Sequence, residues 1–203
     1  VSDLSVSSDN LTFTYEAKSL PYPIDTSYYD NEKHTQADAL SVISFMDEMN
    51  YEGLSVSGLS DGYYGLTIGG EFIGRFTARE LERGINMALL QNTPQYKQAM
   101  KIRQMNEERW LKERKMREFY WVEYNLMRKT GMLWACDEAA VDTLRKYRPH
   151  DIFLQWNGDL WLQYMHKGIR EDCVNEQQNL VDRIYEQNKP IPLRIEIKKF
   201  TDL

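Results

Sequence analysis

The chain has 203 residues, of which 42% are hydrophobic and 28% are charged. This composition excludes a collagen-like, low-complexity or largely disordered protein. Lys and Arg number 25 against 31 Asp and Glu, so the formal net charge of −6 argues against nucleic acid as a partner. No apolar run approaches the ~18 residues that a membrane span requires, and we expect no span.

The two cysteines, Cys136 and Cys173, exclude a disulfide scaffold. They have neither a CxxC partner nor a histidine at matching spacing, so the sequence predicts no metal site and no cofactor. With only two thiols in a chain of this size, we expect both side chains to be unpaired and buried. A single disulfide between them is the alternative.

Alternating apolar and polar residues predict two strands near the N-terminus, over 4–6 and 11–15. Thr35 is a suitable N-cap for a helix that reaches about Asn50. Three short strands follow, over 54–59, 63–68 and 71–76, with turns at 61–62 and 69–70 where glycine accepts positive φ. This pattern predicts a β-meander, after which Thr77 and Glu80 form a capping box that starts another helix, extending to about Leu89.

A long helical section is predicted to begin at Thr93-Pro94, with Thr as the N-cap and Pro at the first helical position. The first helix reaches about Lys129, and its apolar end at 119–127 must be buried. A shorter helix is expected over 137–147, and another over about 160–187, whereas 152–156 fits either a strand or a helix. The alternating residues 193–198 predict a terminal strand that pairs with the first strands.

These elements predict an α+β fold, in which a small antiparallel sheet formed from both chain ends and a β-meander accompanies a long helical section. We predict a single unit over 1–203. Within it, 1–92 and 190–203 are mainly sheet with two helices, and 93–189 form the helical section.

One motif has the spacing of a serine nucleophile. The sequence GLSDG at 58–62 fits the G-x-S-x-G elbow, which requires a strand that turns directly into a helix. The residues after it are predicted to form another strand, so an ordinary hairpin turn is favoured and no catalytic residue is assigned. A weaker alternative is a hydrolase that uses Ser60 with His150 or His166. Nothing converges on these two histidines or on His34, which we interpret as solvated or core side chains.

A possible binding surface lies further along the chain. Trp156, Trp161 and Tyr164, with the intervening Asn-Gly-Asp at 157–159, fit a stacking platform for a glycan or a peptide. The competing interpretation is that Trp161 and Tyr164, at helical spacing, pack into the core. The first interpretation defines one functional alternative, an independent glycan- or peptide-binding module.

Several motifs resemble a known family. They are LPYP at 20–23, LSVSGL at 54–59, GYYGLTIGGEFIG at 62–74, GINMA at 84–88 and Thr93-Pro94. Together, over roughly 11–99, they resemble the C-terminal region of bacterial, Bacteroides-like SGNH (GDSL-type) hydrolases. Gly69 stands where the family's hairpin usually has Asp, and Met87 where its helix usually has Leu.

The family's catalytic blocks are missing from this chain. Gly158-Asp159 is followed by Leu160 rather than by the serine nucleophile, and no Gly-x-Asn-Asp block or Asp-x-x-His pair is present. The resemblance therefore implies a non-catalytic accessory region that covers the SGNH catalytic domain of the same protein and shapes its substrate cleft, with an acylated carbohydrate as a possible ligand. It also implies that the chain alone is inactive, that Val1 marks a truncated or processed start, and that the protein is exported to the periplasm or cell surface.

Overall fold

The structure, a computed structural model, describes residues 1–7, 9–24 and 35–200. It is 52% helix and 19% strand, which confirms the predicted α+β class. The chain divides into two compact units. The sheet unit consists of Val1–Arg103 with Glu186–Leu203, and the helical unit of Gln104–Tyr185.

The sheet unit is built on five antiparallel strands, which are β1 Ser2–Val6, β2 Asn10–Tyr15, β4 Tyr63–Ile68, β5 Glu71–Thr77 and β7 Leu193–Lys199. Their spatial order is β1-β2-β7-β4-β5. The chain's last strand therefore lies at the centre of this sheet, between strands from its N-terminal part, so both chain ends form it as predicted.

The predicted meander is only partly present. β4 and β5 form the expected hairpin, and Gly69 and Gly70 provide the positive φ angles of its two-residue turn. The predicted strand over 54–59 is wrong, because only β3 (Gly53–Leu54) is extended there and it pairs with β6 (Ile85–Asn86) in a separate two-stranded sheet. The turn predicted at 61–62 is instead the end of an irregular loop that leads into β4.

The helices of the sheet unit are shorter than predicted. The helix expected from Thr35 to Asn50 is two helices, α1 (Gln36–Ala39) and α2 (Phe45–Glu48), separated by a stretch whose serine and β-branched residues favour other conformations. The capping box at Thr77 is confirmed and starts α3 (Ala78–Arg83). α3 ends at Gly84, whose φ is +92°, so the predicted continuation toward Leu89 is replaced by β6 and a 3₁₀ turn.

The helical section begins at the predicted position. α4 (Pro94–Val122) continues into a π-helical segment, Glu123–Met127, and Gly131 lies just beyond it with positive φ. α5 (Glu138–Tyr147) is capped by Asp137 as predicted. The ambiguous residues 152–156 are helical and open α6 (Ile152–Tyr164). The helix predicted over 160–187 is therefore divided, with α7 (Lys167–Gln187) as its second part.

Each unit has its own hydrophobic core. In the sheet unit, every second side chain of β7 is buried. These side chains form one core together with buried residues of the neighbouring strand β4 and of α3. In the helical unit, Phe119, Val122 and Met127 of the predicted apolar end are buried among residues of α5 and α6. Tyr120 and Tyr124 of the same segment are exposed, so the prediction that this end is buried holds for one of its faces only. The most deeply buried core side chains are Leu66, Ile68, Leu81, Ile195 and Ile197 in the sheet unit and Phe119, Val122, Met127, Leu144 and Trp161 in the helical unit.

Candidate functional site

The predicted stacking platform is not assembled. Trp161 is fully buried and Tyr164 nearly so, both in the core of the helical unit, whereas Trp156 is 66% exposed. All three residues lie on α6, and its periodicity turns Trp156 away from the face that carries the other two. A buried indole cannot stack against a ligand, so Trp161 and Tyr164 follow the competing interpretation and pack as core.

Trp161 contacts a buried carboxylate that sequence analysis did not single out. The indole Nε1–H of Trp161 donates to Glu123 Oε1 at 2.8 Å, and the backbone N–H of Trp134 donates to Glu123 Oε2 at 2.8 Å. Glu123 is 1% exposed and opens the π-helical segment. Both carboxylate oxygens therefore accept a hydrogen bond inside the core, which offsets the cost of burying them. The sequence signal that could have identified this buried carboxylate is the position of an acidic residue within the aromatic segment 119–124.

Glu123 holds Trp134 in an uncommon backbone conformation. Trp134 has a φ of +65°, a left-handed conformation that costs a residue with a side chain roughly 1–2 kcal/mol. Its ring nevertheless packs against Tyr120 and Tyr124, with centroid distances of 6.0 Å to each. These three exposed aromatic residues, named here the Trp134 surface, lie over the buried ring of Phe119.

A second group of rings lies on the helical unit. Phe153 is 5.2 Å from Trp121 and 5.5 Å from Trp156, measured between ring centroids. Phe153 and Trp156 are exposed, while Trp121 is partly buried. Trp156 is thus part of an exposed aromatic group, but with partners other than those predicted.

Ser60 does not lie in a nucleophile elbow. It is in the loop before β4, and its Oγ accepts a hydrogen bond from Lys199 Nζ at 2.7 Å and is 3.2 Å from the Tyr64 hydroxyl. A lysine ammonium only donates hydrogen bonds and cannot take the proton of the serine. His150 and His166 belong to the helical unit, and His34 lies outside the described residues. Within the described part of the sheet unit, no imidazole is available to Ser60.

A cleft in the sheet unit contains a partly buried carboxylate. It has a volume of about 500 Å³ and is formed by the segment after β2, residues 15–22, and by residues 49–53. Glu52 lies in its wall, with Tyr15, Tyr22 and Tyr51 around it. Gln95 Nε2 approaches both oxygens of Glu52 at 3.4 Å, while Gln95 Oε1 is buried and accepts no hydrogen bond from the described residues.

Two asparagines position the segment that carries Glu52. The Glu52 N–H donates to Asn86 Oδ1 at 2.9 Å, and Asn86 Nδ2 donates to the carbonyl oxygens of Met46 and Asn50. Asn50 in turn pairs with the backbone of Tyr22, accepting from its N–H and donating to its carbonyl. The two walls of the cleft are therefore joined by amide hydrogen bonds, which fixes the backbone on either side of Glu52.

The cleft alters the ionisation of two of its side chains. Burial raises the pKa of the Glu52 carboxyl, while hydrogen bonds from Gln95 and Tyr15 act in the opposite direction. Burial, followed by the nearby Glu52 charge, raises the pKa of Tyr15 to about 12. Among the described residues no lysine or arginine forms an ion pair with Glu52. Sequence analysis missed this carboxylate because no motif surrounds Glu52 in the sequence. The residues that contact its side chain, Tyr15 and Gln95, come from distant segments of the chain.

The remaining predicted features are placed as follows. Both cysteines are free thiols, as predicted, and Cys173 is buried, but the prediction that Cys136 is buried is wrong because its side chain is exposed. Across residues 1–7, 9–24 and 35–200, no group of His, Cys, Asp or Glu side chains is arranged to hold a metal ion. In that same part of the chain, no helix combines the length and the apolar character needed to cross a membrane.

Comparison with known proteins finds two similarities. Residues 100–189 match a family model described as the diltiazem deacetylase C-terminal helical domain. The chain is also similar to the solved structure of a gut microbial diltiazem-metabolizing enzyme, with 36% sequence identity and a TM-score of 0.90, over 98% of this chain and 45% of that enzyme. The chain thus spans a little under half of the enzyme's length. No curated protein sequence matches it.

These similarities support the expected relation to an accessory, C-terminal part of a hydrolase. The helical section is similar to the C-terminal helical domain of a deacetylase.

Proposed function

We propose that this chain is the non-catalytic C-terminal accessory region of an ester hydrolase of the SGNH/GDSL type, where it covers the catalytic domain and shapes its substrate cleft. The observation that carries the proposal is the alignment of nearly the whole chain with 45% of a diltiazem-metabolizing enzyme. The description of the family model, a C-terminal helical domain of a deacetylase, supports the same role. The SGNH type, the acylated-carbohydrate ligand and export to the periplasm or cell surface rest on the sequence resemblance alone.

The Trp134 surface is the part of the helical unit that we propose contacts the catalytic domain. Tyr120, Tyr124 and Trp134 are each about 40–45% exposed, and exposed aromatic groups of this kind are typical of protein interfaces. The hydrogen bond from the Trp134 backbone N–H to the buried Glu123 carboxylate fixes the backbone that carries this ring. The occupant is the part of the longer enzyme that has no counterpart in this chain.

The first prediction concerns activity. We expect the purified 203-residue chain not to hydrolyse 4-nitrophenyl acetate above the buffer rate, because Ser60 faces an ammonium rather than a base. The assay compares the chain with its Ser60→Ala variant. Turnover by the chain that disappears in the variant would make Ser60 a nucleophile and would overturn the accessory role.

The second prediction tests the proposed contact. The chain is mixed with the protein segment encoded before Val1 in its gene, and their association is followed by analytical ultracentrifugation. We expect Trp134→Gly to weaken association about tenfold or more, since a central interface tryptophan typically contributes over 1.4 kcal/mol. Glycine suits the positive φ at this position, so the loss is of the ring and not of the backbone geometry.

Trp156→Ala is the matched control for this experiment, because it removes an equally large exposed ring from the other aromatic group. We expect it to leave the association constant unchanged within about threefold. An equal loss of association in the two variants would show that the contact does not depend on the Trp134 surface. The absence of any catalytic segment before Val1 in the gene would contradict the proposed function as a whole.

The alternative function, an independent glycan- or peptide-binding module, gains no support from the structure. It depended on a platform of Trp156, Trp161 and Tyr164, and two of these side chains are buried.

A further inference from the structure

We propose that the cleft around Glu52 is a binding site for an N-alkylated ammonium group carried by a small organic molecule. The proposal concerns the sheet unit alone and does not depend on the role proposed for the whole chain. It rests on the shape of the cleft, the aromatic side chains that line it and the position of one carboxylate.

The carboxylate of Glu52 has the surroundings of an anion that lacks its counter-ion. It is partly buried in the wall of the cleft, and no described lysine or arginine forms an ion pair with it. Its contacts are neutral, from the Gln95 amide and the Tyr15 hydroxyl. A desolvated carboxylate is stabilised far more by a cation than by neutral donors.

Three tyrosines determine which kind of cation fits. Tyr15, Tyr22 and Tyr51 line the same cleft, and the negative faces of aromatic rings attract cations, N-alkylated ammonium groups above all. Tyr51 packs directly against the backbone at Gly53, where an added Cβ would lie 2.5 Å from its ring. Gly53 is thus required for this ring position, so the backbone beside Glu52 is shaped to admit an aromatic wall.

The charges at the mouth of the cleft are consistent with a cationic guest. Glu16 and Lys18 are exposed residues of the lining, so with Glu52 the lining carries two acidic groups and one basic group. The volume of about 500 Å³ falls within the range of small-molecule sites.

The experiment uses choline as the probe and isothermal titration of the whole chain as the measurement. The uncharged isostere dimethylbutanol has the same shape, and ethanolamine has a primary ammonium without the alkyl groups. We expect choline to bind about tenfold or more tightly than either compound, because only choline combines charge with alkyl groups. Equal binding of choline and dimethylbutanol, or tighter binding of ethanolamine, would overturn the proposal.

Variants assign the binding to the cleft. We expect Glu52→Gln to weaken choline binding about tenfold or more. The matched control Glu82→Gln removes an exposed carboxylate of α3 that does not line the cleft, and we expect it to change the affinity less than about threefold. Tyr51→Leu gives a second measurement in a side chain that is 60% exposed, and we expect a loss of about threefold or more. Circular dichroism verifies that each variant is folded. Unchanged affinity in the folded Glu52→Gln and Tyr51→Leu variants would contradict the site.

Discussion

Replacement of Ile195 by alanine is expected to lower the free energy of unfolding of the sheet unit by about 2–5 kcal/mol. Ile195 is fully buried in β7, where it lies opposite Phe13 of β2 and Ile68 of β4. β7 is the strand that joins the β1-β2 pair to the β4-β5 hairpin. A cavity at this position removes contacts on both sides of the sheet centre, so the loss is large.

Lys198→Ala is the matched control on the same strand, since the Lys198 side chain is exposed. We expect this variant to change the free energy of unfolding by less than about 0.5 kcal/mol. The measurement is urea unfolding followed by far-ultraviolet circular dichroism, with hydrogen exchange of the β4 amides to assign the loss to the sheet. A loss at Ile195 no larger than that at Lys198 would contradict the central role of β7.

Local signals in the sequence were sufficient for most element types. Strict alternation of apolar and polar residues predicted β2 and β7. In β7 every second side chain is buried, whereas in β2 the consecutive residues Thr12 and Phe13 are both buried. Capping chemistry predicted the starts of α3 and α4, since Thr77 and Thr93 are followed by residues that suit the first turn of a helix. These signals operate within four residues and require no tertiary contact.

The pairing between distant segments could not be predicted from local sequence patterns. The residues after Leu54 have the composition of a strand, but the extended part stops there because it pairs with β6 rather than with β4. Helical spacing correctly allowed Trp161 and Tyr164 to be core residues, yet it did not reveal that the carboxylate of Glu123 would accept the indole hydrogen bond. Tertiary packing decides which faces of the helices and strands contact one another, and the periodicity of hydrophobic residues carries no information about those partners.

The candidate cleft illustrates the same limit. Its walls come from 15–22 and 49–53. The residues that fix them, Asn50 and Asn86, act through hydrogen bonds that span 28 to 40 positions in the chain. Each asparagine alone looks like a turn or cap residue. Only the folded chain brings the Glu52 carboxylate, the Tyr15 hydroxyl and the Gln95 amide together.

Replacement of Glu123 by alanine is expected to lower the free energy of unfolding of the helical unit by about 3–5 kcal/mol. The substitution leaves the Trp161 indole N–H and the Trp134 backbone N–H buried without their acceptor. All five tryptophans lie in the helical unit, so urea unfolding followed by tryptophan fluorescence reports on that unit alone. The control is Glu118→Ala, at a partly exposed acidic residue of α4 whose ion pair with Arg114 lies at the surface, and we expect it to cost less than about 1 kcal/mol.

Two further variants separate the lost hydrogen bonds from the cavity that alanine leaves. Glu123→Gln keeps the size of the side chain but retains one acceptor oxygen for two donors, so we expect about half of the alanine loss. Trp161→Phe removes the indole donor while keeping an aromatic core. In that background, Glu123→Gln should cost at least about 1 kcal/mol less than in the native protein, because the amide oxygen can then serve Trp134 alone. Equal costs in the two backgrounds would show that Glu123 contributes packing rather than the hydrogen bond to Trp161.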